Sequence, residues 1–176
     1  PTLRIATLNT LKGLTHLNDD SLLEAIKSTD ICILTETKAT DGNTKGTGSM
    51  LTIGEHTIYN FEMSRAKSTE RDTTATGGVA VALKKNILMT AIRITHTYEN
   101  IITVHIQPNK INKKYTNKNI TLIGTYVLNE SSTYNQGAHA NASWIHLQNA
   151  VNEEMYARPN DTLIVAGDFN TRTGQE

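Results

Sequence analysis

Four apolar runs in this chain each end in side chains suited to holding a hard cation or a phosphate. Asn9 closes the run Leu3–Leu8, and Glu36 follows Ile31–Thr35. Tyr126 and Asn129 end the run Ile120–Leu128, and Asp168 and Asn170 follow Thr162–Ala166. A single carboxylate after a strand is usually a helix cap or a solvated turn. Carboxylates, amides and a phenol repeated at four such places form a different pattern, because strand ends on a common sheet edge can converge on one crevice. Oxygen donors of this kind suit Mg²⁺, with Mn²⁺ as a substitute. They lack the Cys/His set that zinc requires. The six histidines, at positions 16, 56, 96, 105, 139 and 146, are scattered and read as structural.

The elements that must carry these residues follow from the apolar pattern. Leu3–Leu8 alternates as a strand does. Ser21 and Glu24 form a capping box at the start of a short helix, with Leu22, Leu23 and Ile26 facing inward. Residues 31–34 are a buried strand, 37–55 a loop rich in Thr, Gly, Asn and Lys, and 56–61 a short strand. After a polar stretch, Gly77-Gly78 leads into the buried strand Val79–Leu83. Residues 87–95 and 100–107 read as an antiparallel pair around a Tyr98-Glu99-Asn100 turn. Residues 109–119 form a lysine-rich loop, and a further strand covers Ile120–Leu128.

A longer helix is expected from Gln136 to Tyr156. Trp144, Leu147, Val151 and Met155 recur on it at helical spacing, and Pro159 and Asn160 stop it. Thr162–Ala166 is expected as the last buried strand. The order of elements mixes crossovers with hairpins, which implies an α/β fold of helices layered on mixed sheets.

Bulk properties set wide limits. A length of 176 residues fits one domain, taken as residues 1–176. A formal net charge of zero gives no global attraction to nucleic acid or to a membrane surface, so an anionic substrate must be held locally or by a metal. No apolar run approaches the roughly eighteen residues of a membrane span. The single cysteine, Cys32, cannot form an internal disulfide and reads as a small buried hydrophobe. The chain starts without Met, runs straight into a strand pattern and shows no signal peptide. It is therefore expected to be an excised part of a longer, intracellular protein. Asn-x-Ser/Thr sequons at Asn119, Asn129, Asn141 and Asn160 carry little weight in a chain this rich in Asn and Thr.

Five segments together resemble the motifs of the endonuclease/exonuclease/phosphatase superfamily. They are Leu3–Leu14, with Asn9 inside it, and Asp30–Thr37, with Glu36 inside it and Thr35 where Gln is usual. The third is the Gly77-Gly78-Val79-Ala80 strand. The fourth is Tyr126-Val127-Leu128-Asn129, with Leu128 in place of Pro, and the fifth is Gly167-Asp168-Phe169-Asn170. The resemblance runs from about residue 3 to the end. The opening Asn9-x-x-x-Gly13-Leu14 and the closing stretch from Gly167 to Gly174 look like the endonuclease domain of LINE-type (non-LTR) retrotransposons.

The resemblance implies a four-layer α/β sandwich and Mg²⁺-dependent phosphodiester hydrolysis. Glu36 would hold the ion with Asn9 and Asp168 beside it. Asp168 would position or deprotonate the attacking water, Asn170 would hydrogen-bond the phosphate, and Tyr126 would donate to a phosphate oxygen or the leaving group. Lys12, Asn129 and Arg172 would lie near the substrate phosphate. The implied partner is nucleic acid, DNA before RNA, with no membrane, in a nuclear protein fused to a downstream reverse transcriptase. The family also carries a final Ser-Asp-His motif that none of the six histidines matches, so a C-terminal part is expected to be missing and the fragment alone to be nearly inactive.

Three rival readings remain at this stage. One is a catalytically dead nucleic-acid-binding module or structural remnant, and the others are a phosphatase or lipid phosphodiesterase of the same superfamily. Lys110, Lys113, Lys114 and Lys118 around Tyr115 could grip a phosphate backbone or form a solvated basic loop.

Overall fold

A period of two decides the layering, because successive side chains on a strand point to opposite faces. In a computed structural model, residues 3–10, 20–38, 49–60, 77–85, 91–95, 98, 100–107, 118–128 and 139–170 are described. Their elements are β1 (Ile5–Asn9), α1 (Asp20–Lys27), β2 (Ile31–Thr35), β3 (Ser49–Ile53), β4 (His56–Asn60) and β5 (Val79–Lys84). There follow β6 (Ala91–Thr95), β7 (Ile101–Gln107), β8 (Ile120–Tyr126), α2 (His139–Ala157) and β9 (Thr162–Asp168). One sheet runs β1-β2-β5-β4-β3 and the other β6-β7-β8-β9. Both are mixed: β1 with β2 and β8 with β9 are parallel pairs, and the remaining neighbours are antiparallel. A helix lies between the members of each parallel pair in the chain, as a parallel crossover requires.

Ile31, Ile33, Val79, Val81 and Leu83 of the first sheet face Ile102, Val104, Ile106, Ile120 and Leu122 of the second. The alternate residues Cys32, Leu34, Ala80 and Ala82 turn the other way and pack with Ile58 and with Ile26 of α1. On the far side of the second sheet, Ile101, Ile123 and Val127 meet Leu147 and Ala150 of α2. The result is helix, sheet, sheet, helix: the four-layer α/β sandwich. β2 and β5 are buried on both faces, which is why they read as unbroken apolar runs.

The structure departs from expectation in four places. β3 lies inside the stretch expected as loop and pairs with β4 across Gly54-Glu55; the Thr-, Gly-, Asn- and Lys-rich run before it hides a strand of only five residues. α1 begins at Asp20, so Ser21 lies inside the first turn and not at the cap. β9 is only partly buried, because it is the edge of its sheet among the described residues. On α2, Trp144 is 39% and Met155 58% exposed, while Leu147, Ala150 and Glu154 face the sheet. Leu147 and Val151 of the expected stripe do pack on the sheet, and the buried face is turned from Trp144 and Met155 toward Ala150 and Glu154. Among the described residues no helix is long and apolar enough to cross a membrane.

Candidate active site

In a parallel pair both strands end at the same edge. Asn9 is the register partner of Thr35, and the next residue is Glu36. Glu36 has φ 54°, a left-handed conformation that turns the chain sharply out of β2. Thr10 holds the turn: its hydroxyl donates to the carbonyls of Glu36 (2.7 Å) and Thr35 (3.0 Å), and its N–H donates to Thr35 O at 2.9 Å. Beyond Glu36, Lys38 N donates to Gly77 O (3.0 Å) and Thr37 N to Gly78 O (3.4 Å). Gly78 has φ 96°, and a Cβ there would run into the Thr37 hydroxyl, so only glycine fits.

The second sheet repeats the construction. Tyr126 and Asp168 are register partners at the ends of β8 and β9. Gly167 has φ 154°, and a Cβ on it would overlap the Thr125 backbone, so glycine lets β9 deliver Asp168 beside Tyr126. Asn170, at φ 46°, folds back over Asp168. Its N–H donates to Asp168 Oδ1 (3.0 Å) and its side-chain amide to Val127 O (2.6 Å). Phe169 between them stacks on Trp144 of α2, with ring centroids 6.2 Å apart.

The two constructions meet. Asn9 Nδ2 donates to Glu36 Oε1 at 3.0 Å and to Asp168 Oδ2 at 3.0 Å, joining residues from both sheets. The Tyr126 hydroxyl reaches Glu36 Oε1 at 3.4 Å, longer than an ideal O–H···O bond and correspondingly weak. Burial pushes the Tyr126 phenol above its ordinary pKa, the Glu36 and Asp168 charges add to this, and the Asn170 amide acts against it. The phenol therefore keeps its proton and remains a donor.

Asn9, Glu36, Tyr126 and Asp168 thus come together, with Asn170 adjoining. Lys12, Asn129 and Arg172 lie outside the described residues, as do Lys110, Lys113, Lys114 and Tyr115. Of the other lysines, Lys38 is half-buried in the turn after Glu36, Lys118 is exposed, and Lys84 pairs with Glu55 at 3.8 Å. Thr10 is absent from the sequence-based candidates, although a hydroxyl beside Asn9 was the signal that could have found it. His56 and His105 are buried in the fold, and neither lies in the cluster.

As a donor set the cluster fits a hard divalent ion. Two carboxylates converge on one neutral amide, which cannot offset their mutual repulsion, and a cation between them would. Among the described residues no group of three or more His, Cys, Asp or Glu could hold a metal. Mg²⁺ commonly takes one or two carboxylates and fills its remaining positions with water and substrate phosphate oxygens.

Comparison with known proteins agrees with this fold. A family model described as the Endonuclease/Exonuclease/phosphatase family matches residues 6–174. Among solved structures, the AP endonuclease LMAP from Leishmania major superposes with a TM-score of 0.59 at 16% identity, covering 94% of this chain and 54% of that one. The endonuclease domain of TRAS1, a telomere-specific non-LTR retrotransposon, gives 0.55 at 13% identity, covering 98% and 63%. A variant of the 3′ phosphatase NExo from Neisseria, bound to product DNA hairpin, gives 0.53 at 15% identity, covering 96% and 57%. At these identities the likeness is one of fold, and the chain spans little more than half the length of these structures. No curated protein sequence matched the chain.

Proposed function

The chain belongs to the endonuclease/exonuclease/phosphatase family, and on that premise we propose that it carries the carboxylate centre of a Mg²⁺-dependent phosphodiesterase that nicks DNA. The supporting observation is the single Asn9 amide shared by Glu36 and Asp168, drawn from opposite sheets.

Mg²⁺ or Mn²⁺ would be held by Glu36, with Asp168 and Asn9 beside it, and would neutralise phosphate oxygens that otherwise repel a nucleophile. The chain's own groups do the rest. Asn9 fixes the spacing of the two carboxylates. Asp168 Oδ2 orients the attacking water and takes its proton. Tyr126 donates its retained proton toward a phosphate oxygen or the leaving group. One N–H of the Asn170 amide is committed to Val127 O, and the second, which faces the Tyr126 phenol, is the one a phosphate oxygen would share. Lys12, Asn129 and Arg172 hold the backbone by their motif positions. The motif from Gly167 to Gly174 supports a LINE-type retrotransposon endonuclease, in a nuclear protein with a reverse transcriptase downstream.

Relaxation of supercoiled plasmid tests the reading. The chain, alone and joined to a family-type C-terminal segment, is incubated with DNA and Mg²⁺. The joined protein is expected to nick, and EDTA, Glu36→Gln and Asp168→Asn each to remove at least about 100-fold of the rate. Binding without nicking in the joined protein, or nicking indifferent to both substitutions, would sink the proposal.

A further inference from the structure

Asn100 belongs to none of the motifs above, yet it lies under the cluster at the start of β7. It is 2% exposed and has φ 58°, a left-handed conformation that asparagine tolerates better than most residues. Its backbone carbonyl accepts from Tyr126 N at 3.0 Å. Its side-chain Oδ1 accepts from Gly78 N at 3.0 Å. The approach to the glycine pair is close, since a Cβ on Gly77 would sit 3.1 Å from Asn100 Oδ1 and 3.4 Å from the Tyr126 ring. The carbonyls of that glycine pair, in turn, receive the N–H groups of Thr37 and Lys38, the two residues after Glu36.

We propose that Asn100 is a positioning residue that sets Glu36 and Tyr126 relative to each other across the two sheets. Its main chain holds the end of β8, where the phenol starts. Its side chain holds Gly78, which holds the turn that carries the carboxylate. Tyr126 and Glu36 meet at a long 3.4 Å contact, so a small shift of either side breaks or makes it. The left-handed backbone lets one residue serve both partners: the carbonyl faces β8 while the amide reaches Gly78. The catalytic consequence rests on the phosphodiesterase reading above, whereas the positioning itself does not.

Amide hydrogen exchange on the chain reads the positioning without metal or substrate. Asn100→Gly keeps the backbone conformation and removes the acceptor. It is expected to lower protection at Thr37 and Lys38 while leaving Cys32 and Leu34 in β2 unchanged. Asn100→Asp keeps an acceptor for Gly78 and is expected to retain that protection. Unchanged protection at Thr37 and Lys38 in Asn100→Gly would overturn the inference. If Asn100→Gly fails to fold, lost protection there in folded Asn100→Asp does the same.

In the form that nicks DNA, Asn100→Gly is expected to lower kcat by about 10- to 100-fold, the usual range for a group acting through its neighbours, with KM nearly unchanged. Tyr126→Phe should add little in that background, and full additivity would refute coupling through the phenol. A wild-type protein that neither binds Mg²⁺ nor cleaves, with the exchange result intact, would remove the functional reading and leave the positioning standing.

Discussion

Glu36 and Asp168 each accept from the same amide nitrogen, so two anions are held close with a neutral group between them. On the metal-dependent reading proposed above, a cation between them would stabilise the fold. Saturating Mg²⁺, at about 100 times its Kd, should stabilise the fold by roughly 2.7 kcal/mol, which is on the order of 5–10 °C in Tm for a chain of this size. Glu36→Gln should raise the metal-free Tm slightly, by relieving the repulsion, and abolish the Mg²⁺-induced rise. Thermal unfolding with and without Mg²⁺ checks both, and a metal shift that survives in Glu36→Gln would remove Glu36 from the ion. Tyr126 makes a separate prediction. Its phenol is raised by burial first and then by the Glu36 charge, so it should ionise after the exposed tyrosines. In an alkaline absorbance titration, Tyr126→Phe should diminish the late component, which Tyr98 shares through its hydrogen bond to Glu153, and leave the early one.

At the scale of elements, α2 is docked by polar contacts as well as by Leu147 and Ala150. His105 Nε2 lies 2.9 Å from Glu154 Oε2, and Arg158 Nε lies 3.5 Å from the same oxygen. Tyr98, beside the Asn100 turn, stacks on His146 at 5.3 Å and hydrogen-bonds Glu153. The Glu154 pair is mostly shielded from water, so Glu154→Ala should cost about 1–3 kcal/mol. Glu24→Ala, which breaks an exposed pair with Lys27, should cost under about 0.5 kcal/mol. Denaturant midpoints of the two variants decide the comparison, and equal costs would show that α2 is held by its apolar face alone. This helix also marks where the sequence is hard to read. Trp144 and Met155 resemble core because they are large and apolar, and Glu154 resembles surface because it is charged. A buried partner, His105, lies 49 residues away, and no local period reveals it. The central strands are legible because burial on both faces leaves an unbroken apolar run. β3 is not, because a five-residue edge strand is too short to stand out from the polar run before it. The cluster is legible as strand-end residues, whereas the side chains of Thr10 and Asn100 bind backbone carbonyls and amides, partners that any residue type offers and no spacing reveals.

For the whole molecule, the cluster exists only while the two sheets stay packed, since Asn9 and Asp168 stand 159 residues apart in sequence. Global stability therefore sets the range of conditions over which it survives, and Cys32 supplies one pH-dependent part of that stability. It sits among Leu34, Ala80, Ala82 and Ile26, and burial pushes its thiol from 9.0 up to about 12. Because the folded-state value is raised, this contribution is fully present below pH 9 and is lost as pH rises toward 12. Above pH 9 the unfolded chain releases the proton and the folded chain keeps it, so unfolding is favoured by about 1.4 kcal/mol per pH unit. Cys32→Ala should be less stable at neutral pH, having lost a packed sulfur, but should lack this slope. Denaturant unfolding between about pH 7 and 11 should show the two proteins converging as pH rises. Tyr126 titrates in the same direction in both proteins and cancels from the difference. Parallel lines over that range would mean that Cys32 reaches water in the folded state and that the layer between α1 and the first sheet is not closed over it.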